Sequence, residues 1–159
     1  MKALKIFLVL LLVGFIIVQF FPVDKNINTD IEAGAAFEAH YNVPPSLQET
    51  LRASCYDCHS NNTTYLWYDN IQPVLWYIES HIEDGKHDLN FDEFDQYSAK
   101  KQQHKLEEIA EQVEEGEMPL KSYTLTHWNA KLSEDQKKEL VNFFQDLAKE
   151  EQQKLTTIE

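Results

Sequence analysis

The sequence predicts an all-α fold, and three observations carry that reading. Apolar residues recur at helical spacing, as in Leu106, Ile109, Ala110 and Val113 and again in Leu140, Phe143, Phe144 and Leu147. Only four glycines and five prolines occur in 159 residues, too few for a many-turned β protein. The only two cysteines lie in Cys55-Tyr56-Asp57-Cys58-His59, a C-x-x-C-H pentapeptide with no strand–helix alternation around it. Hydrophobic content of 43%, with 12% aromatics, is enough for one packed domain plus an appendage.

Lys2 and Lys5 precede Ile6 to Val23, eighteen residues without a charge. That length sits at the lower edge of a transmembrane helix and exceeds a usual signal-peptide apolar region. The positive flank predicts a single-pass anchor in the inner membrane, with everything after Asp24 on the periplasmic side. Ala33-Gly34-Ala35 resembles a cleavage site but lies far beyond the apolar run, so an uncleaved signal anchor is expected. Residues 24–45 mix polar, small and proline residues and read as a tether with little fixed structure, His40 being a solvated bystander.

Ser46 with Glu49 forms an S-x-x-E capping box, and Leu47 and Leu51 share a face of the short helix that follows. Arg52, the only arginine, is either a solvated helix residue or a partner for an anionic group of a cofactor. Then comes the pentapeptide. Two residues between the cysteines place both sulfurs on one side of a helical turn, and the next residue projects beyond them. That is the pattern by which two thioethers and one imidazole hold a haem. Cys55 and Cys58 are therefore the attachment residues and His59 the proximal iron ligand. A thioredoxin-like pair would sit in a βαβ unit. A structural zinc site would need a second ligand pair, and His81 and His87 are six apart. A simple disulfide leaves His59 unexplained.

Beyond His59, a turn cluster leads to Tyr65-Leu66-Trp67-Tyr68, aromatics suited to the walls of a crevice. Pro73 suits the first turn of a helix with Leu75, Ile78 and Ile82 on one face, and Gly85 is expected to end it. Leu89 to Phe94 reads as a loop with two apolar anchors. Ser98 opens the next helix and Gly116 stops it. An irregular stretch through Met118, Tyr123, His127 and Trp128 follows. Ser133, with Gln136 in the capping-box position, starts the last helix, and the tail after Glu150 is expected to fray.

Two further ligand expectations come from these residues. Pro73 has no backbone N–H, and its carbonyl is expected to accept from His59 Nδ1. Met118 is the only methionine besides Met1, so a His/Met iron pair has one candidate sixth ligand, with His81, His87, His104 and His127 as rivals. The formal net charge of −13 repels nucleic acid and favours redox partners with basic docking surfaces.

The chain resembles the small haem-binding domain family of monohaem cytochrome c-like, membrane-anchored proteins of Bacteroidetes-type bacteria. The resemblance rests on C-Y-D-C-H-S-N at 55–61, I-Q-P-V-L-W at 71–76, H-I-E-D-G-K at 81–86, L-N-F-D-E-F at 89–94, E-G-E-M-P-L-K-S-Y at 115–123 and H-W-N-A-K-L-S at 127–133. Lys86 and Phe94 stand where the family usually has arginine and tryptophan. The resemblance implies one haem c per chain.

The expected architecture is a cytochrome c-like helical domain around one covalent haem, preceded by the anchor. Its boundaries are 1–23 (anchor), 24–45 (tether), 46–150 (haem domain) and 151–159 (tail). The expected function is periplasmic electron transfer without enzymatic activity. The alternative is a haem-based sensor, gas-binding or peroxidase-like module with an open or weakly held sixth position.

Overall fold

A computed structural model describes residues 1–158, and no strand occurs among them. Eight helices follow in order: α1 Lys2–Val18, α2 Ala35–His40, α3 Pro45–Ser54, α4 Tyr56–His59, α5 Val74–Asp88, α6 Ala99–Glu115, α7 Lys121–Thr124 and α8 Glu134–Ile158. Short 3₁₀ turns occupy Trp67–Asn70, Phe91–Gln96 and Trp128–Ala130.

The apolar stripes place the core. Leu106, Ala110 and Val113 of α6 are buried against Leu140, Val141, Phe144 and Leu147 of α8, the most extensive helix pair of the fold. Leu47 and Leu51 of α3 join them, as do Phe91 and Phe94. Phe37 packs edge-on against Phe91 and Phe94, with ring centroids 4.8 and 5.1 Å apart. Each such aromatic pair is worth about 1 kcal/mol beyond its buried area.

The N-terminal third departs from expectation. Helix α1 ends at Val18, so the apolar run Ile6–Val23 is not one helix. Its 17 residues span about 26 Å against a hydrocarbon thickness of about 30 Å. Among the described residues, no helix is long and apolar enough to cross a membrane. Residues 24–45 are not a loose tether either. Phe37 and Val43 are core residues, and Asn26 donates to Ser60 O and Thr63 Oγ1 while accepting from Lys86 Nζ. The A-x-A-like tripeptide is the entry to α2. Gly34 has φ +74°, donates to Asp92 Oδ1 at 2.7 Å, and lies so close to Tyr56 that a Cβ would sit 2.2 Å from its ring. Only glycine fits there.

Four smaller expectations also change. Helix α3 begins one residue before Ser46, because Pro45 at the first helical position presets the backbone without a side-chain cap. Ser46 Oγ instead donates to Glu139 in α8. Helix α5 continues through Gly85 to Asp88, since the missing Cβ serves packing there. The loop at Leu89–Phe94 winds into a 3₁₀ turn, in which Asn90 accepts from the Asp92 N–H. The tail remains helical to Ile158, with Glu151 buried beside Tyr41 and bonded to Lys154. Residue 159 lies outside the described residues. Ser98, Gly116 and the Ser133–Gln136 box cap their helices as expected.

Candidate functional site

The C-x-x-C-H segment is a single tight turn. Cys55 closes α3 by donating to Leu51 O, and its own carbonyl accepts from Cys58 N and His59 N at 3.2 and 3.0 Å. The turn sends its side chains in two directions. Cys55, Cys58 and His59 line one cavity of about 380 Å³, whereas Tyr56 is driven into the core against Phe91. Asp57 accepts from the Thr64 N–H and from Tyr123 Oη, which ties the turn to the segment on the far side of the cavity.

His59 is held by the end of α5. Its Nδ1–H lies 3.0 Å from both Gly85 O and Leu89 O, carbonyls at the helix C-terminus. A helix end presents such carbonyls and the negative pole of its dipole, so it is a natural receiver for an N–H. This fixes the tautomer with the lone pair on Nε2, which has no hydrogen-bond partner among the described residues. Pro73, at the opposite end of α5, is not the acceptor. Gly85 makes the arrangement possible: a Cβ there would meet Cys58 O at 2.8 Å. Burial holds the His59 imidazole below its usual titration range, with the two carbonyls acting in the opposite sense. Burial also pushes the Cys55 thiol up to about 12 and Cys58 to about 11, and no disulfide joins them.

Met118 lines the same cavity from the segment after α6, together with Leu120, Ile109 and Val113. Its N–H is fixed by Gln112 O. His81 lines it as well, with Nδ1–H donating to Tyr77 O. His87 and His104 line neither this cavity nor the next. Acidic residues Asp84, Asp88 and Glu108 line the first cavity too, and the latter two pair with Lys105. Burial lowers the Lys105 affinity for its proton, but bonds to Asp88 and Glu108 more than offset this and leave its pKa raised. Arg52 points elsewhere, paired with Glu32 and Glu38.

A second cavity, about 300 Å³, shares Cys58, His81, Leu120 and Tyr123 with the first. Tyr65, Tyr68 and His127 line it, while Leu66 and Trp67 face outward rather than forming its wall. Tyr123, between the two cavities, stacks on His127 at 4.1 Å and donates to Asp57 at 2.7 Å. Burial and the Asp57 charge keep its phenol protonated far above neutrality. The sequence reading gave Gly85 as a helix end and assigned Leu89, Asp57 and Tyr123 no role at the site. Gly85 was legible as an irregularity inside a helical pattern; the others carry no sequence signal.

The donor set fits a haem. Two thiols and an imidazole with a free Nε2 converge on an apolar cavity, with a thioether available on the same lining. Among the described residues no group of three or more His, Cys, Asp or Glu could hold a metal ion by itself. Nothing matches the chain among curated proteins or among solved structures. The profile of the haem-binding domain family, however, matches residues 13–146. The chain therefore belongs to the haem-binding domain family and is a haem-binding protein.

Proposed function

We propose that this is a monohaem c-type cytochrome domain that carries electrons on the periplasmic side of the inner membrane, without an enzymatic reaction of its own. The observation that carries the proposal is the shared cavity of Cys55, Cys58 and His59, with His59 Nδ1 pinned to two carbonyls. When bound, haem c supplies a one-electron ferric–ferrous couple. Cys55 and Cys58 hold it through thioethers, and His59 presents Nε2 to the iron in an orientation already set by the helix end. Leu120, Ile109 and Val113 give that cavity an apolar lining, which would limit solvent reorganisation when charge changes there. Met118, on the same lining, would supply the sixth ligand. Lys2 and Lys5, in the first turn of α1 ahead of its apolar run, support membrane association and export. The acidic surface favours redox partners with basic docking faces and excludes nucleic acid.

The test is the matured protein itself. Its haem should remain with the polypeptide through acid–acetone extraction, and complete extraction would overturn the attachment. The ferric form should be six-coordinate and low-spin, with the weak far-red absorption of sulfur-ligated iron. Met118→Ala should abolish that band. A band unchanged by the substitution would move the ligand to His81, the other candidate on the same lining. A high-spin spectrum with rapid carbon monoxide binding would instead favour the sensor or peroxidase-like reading.

A further inference from the structure

The chain carries 27 acidic residues, yet two stretches that meet in the fold carry almost no charge of their own, with Lys25 and Glu79 packed at Tyr65 on their edge. Residues 65–78 contain a single carboxylate, Asp69, which is buried and accepts from the Leu66 N–H. Residues 122–130 contain none. The two stretches meet where Tyr68 approaches His127, with ring centroids 6.5 Å apart. On this face Trp67 is 78% exposed, Trp128 83% and Leu125 76%, with Tyr77 and Val74 also outward. All three tryptophans of the chain belong to these stretches.

Helix α1 ends against the same face. Gln19 and Gln72 exchange two hydrogen bonds of 3.0 Å, through Gln19 Nε2 to Gln72 O and Gln72 N to Gln19 Oε1. Trp76 Nε1 donates to Phe21 O at 2.9 Å. From Ile6 to Val18, α1 is apolar on every side and buries none of its residues against the domain. A helix apolar all round is matched by hydrocarbon, not by water. Tryptophan and tyrosine concentrate where hydrocarbon meets water.

We propose that the face bearing Trp67, Val74, Tyr77, Leu125 and Trp128 rests on the bilayer surface, with α1 in the lipid beside it. The occupant is lipid because the face is continuous with α1, its two stretches expose no carboxylate of their own for a basic protein partner, and it is rich in interfacial side chains. The second cavity, walled by Tyr68, Tyr77 and His127 of the same stretches, then lies next to the membrane. This inference rests on the membrane association proposed above.

The test is hydroxyl-radical footprinting of the full-length, haem-loaded chain in phosphatidylcholine vesicles, read residue by residue by mass spectrometry. Indoles facing water should be oxidised ahead of exposed histidines. Trp67 and Trp128 shielded by lipid should be oxidised more slowly than His87 and His104, which are exposed and outside this face. Leu125→Asp, at a position where folding is indifferent, should restore oxidation of Trp128. Rapid oxidation of both tryptophans in a chain that floats with the vesicles would overturn the proposal and leave the face to a protein partner. Failure to float would overturn it too. Haem retained after extraction of the same sample reads the cytochrome proposal independently.

Discussion

The two walls of the main cavity are built to different standards. On the attachment side, the C-x-x-C-H turn is pressed onto Gly85, with no room for one methyl group, and His59 is gripped by two carbonyls. Asp92 holds this wall from behind, its two oxygens accepting from Gly34 N and Asn61 N at 2.7 Å each. On the facing side, residues 116–130 form only the short α7 and one 3₁₀ turn, with no core residue before Ala130. Few cross-links tie that wall to the first: Tyr123 Oη donates to Asp57 at 2.7 Å, and Ser54 Oγ donates to Ala130 O at 3.0 Å. The contrast separates two tasks: one wall fixes a ligand in advance, and the other closes over it.

The largest expected effect tests the tight wall. Gly85→Ala should add about 1 kcal/mol of helix propensity in isolation. The clash with Cys58 O should instead cost about 2–3 kcal/mol, because the contacted atom is backbone and cannot swing away. Thermal melting decides the sign, and a stabilised variant would show that the walls are not so different. Asp92→Ala comes next. It strands two N–H groups and should lower stability by about 2 kcal/mol in urea unfolding.

Tyr123→Phe tests the looser wall. Loss of one bond to Asp57 should cost about 1 kcal/mol. The fold should survive, but the far-red sulfur band should weaken as Met118 loses its fixed position. A band of full intensity would show that Tyr123 does not govern the closing wall.

The smallest effect lies behind the attachment turn, at Glu38. Burial raises its pKa, and the opposing Arg52 charge does not cancel this. A carboxyl whose pKa is higher in the folded state contributes stability below its unfolded value that is lost as pH rises through the folded one. Glu38→Gln should therefore flatten the decline of stability as pH rises above about 4.5. An unchanged pH profile would place the titration elsewhere.

The contrast between the walls also explains what the sequence revealed. The stripes of α6 and α8, with Ser98, Gly116 and Ser133 at their ends, obey local rules, so periodicity and capping located them. The pentapeptide was legible because its chemistry lies within five residues. Its support was not. Nothing near His59 in sequence points to Gly85 and Leu89, 26 and 30 residues away, and helix-ending glycine was the wrong rule for a glycine chosen for close approach. Residues 24–45 misled for the opposite reason. Their composition is that of a linker, and only the long-range bonds of Asn26 and the burial of Phe37 make them part of the domain.

That last feature bears on how the protein would meet its partners. A flexible linker of 22 residues would let a domain wander about 25 Å from its point of attachment. Such a domain could swing between a donor and an acceptor held some distance apart. Here Gln19, Phe21 and Asn26 are all bonded to the domain, so there is no leash to swing on. The domain moves only as the whole molecule moves. Under the membrane association proposed above, encounters would come from lateral drift in the plane of the membrane or from carriers arriving in solution, and their frequency would follow membrane fluidity and surface density, not linker length.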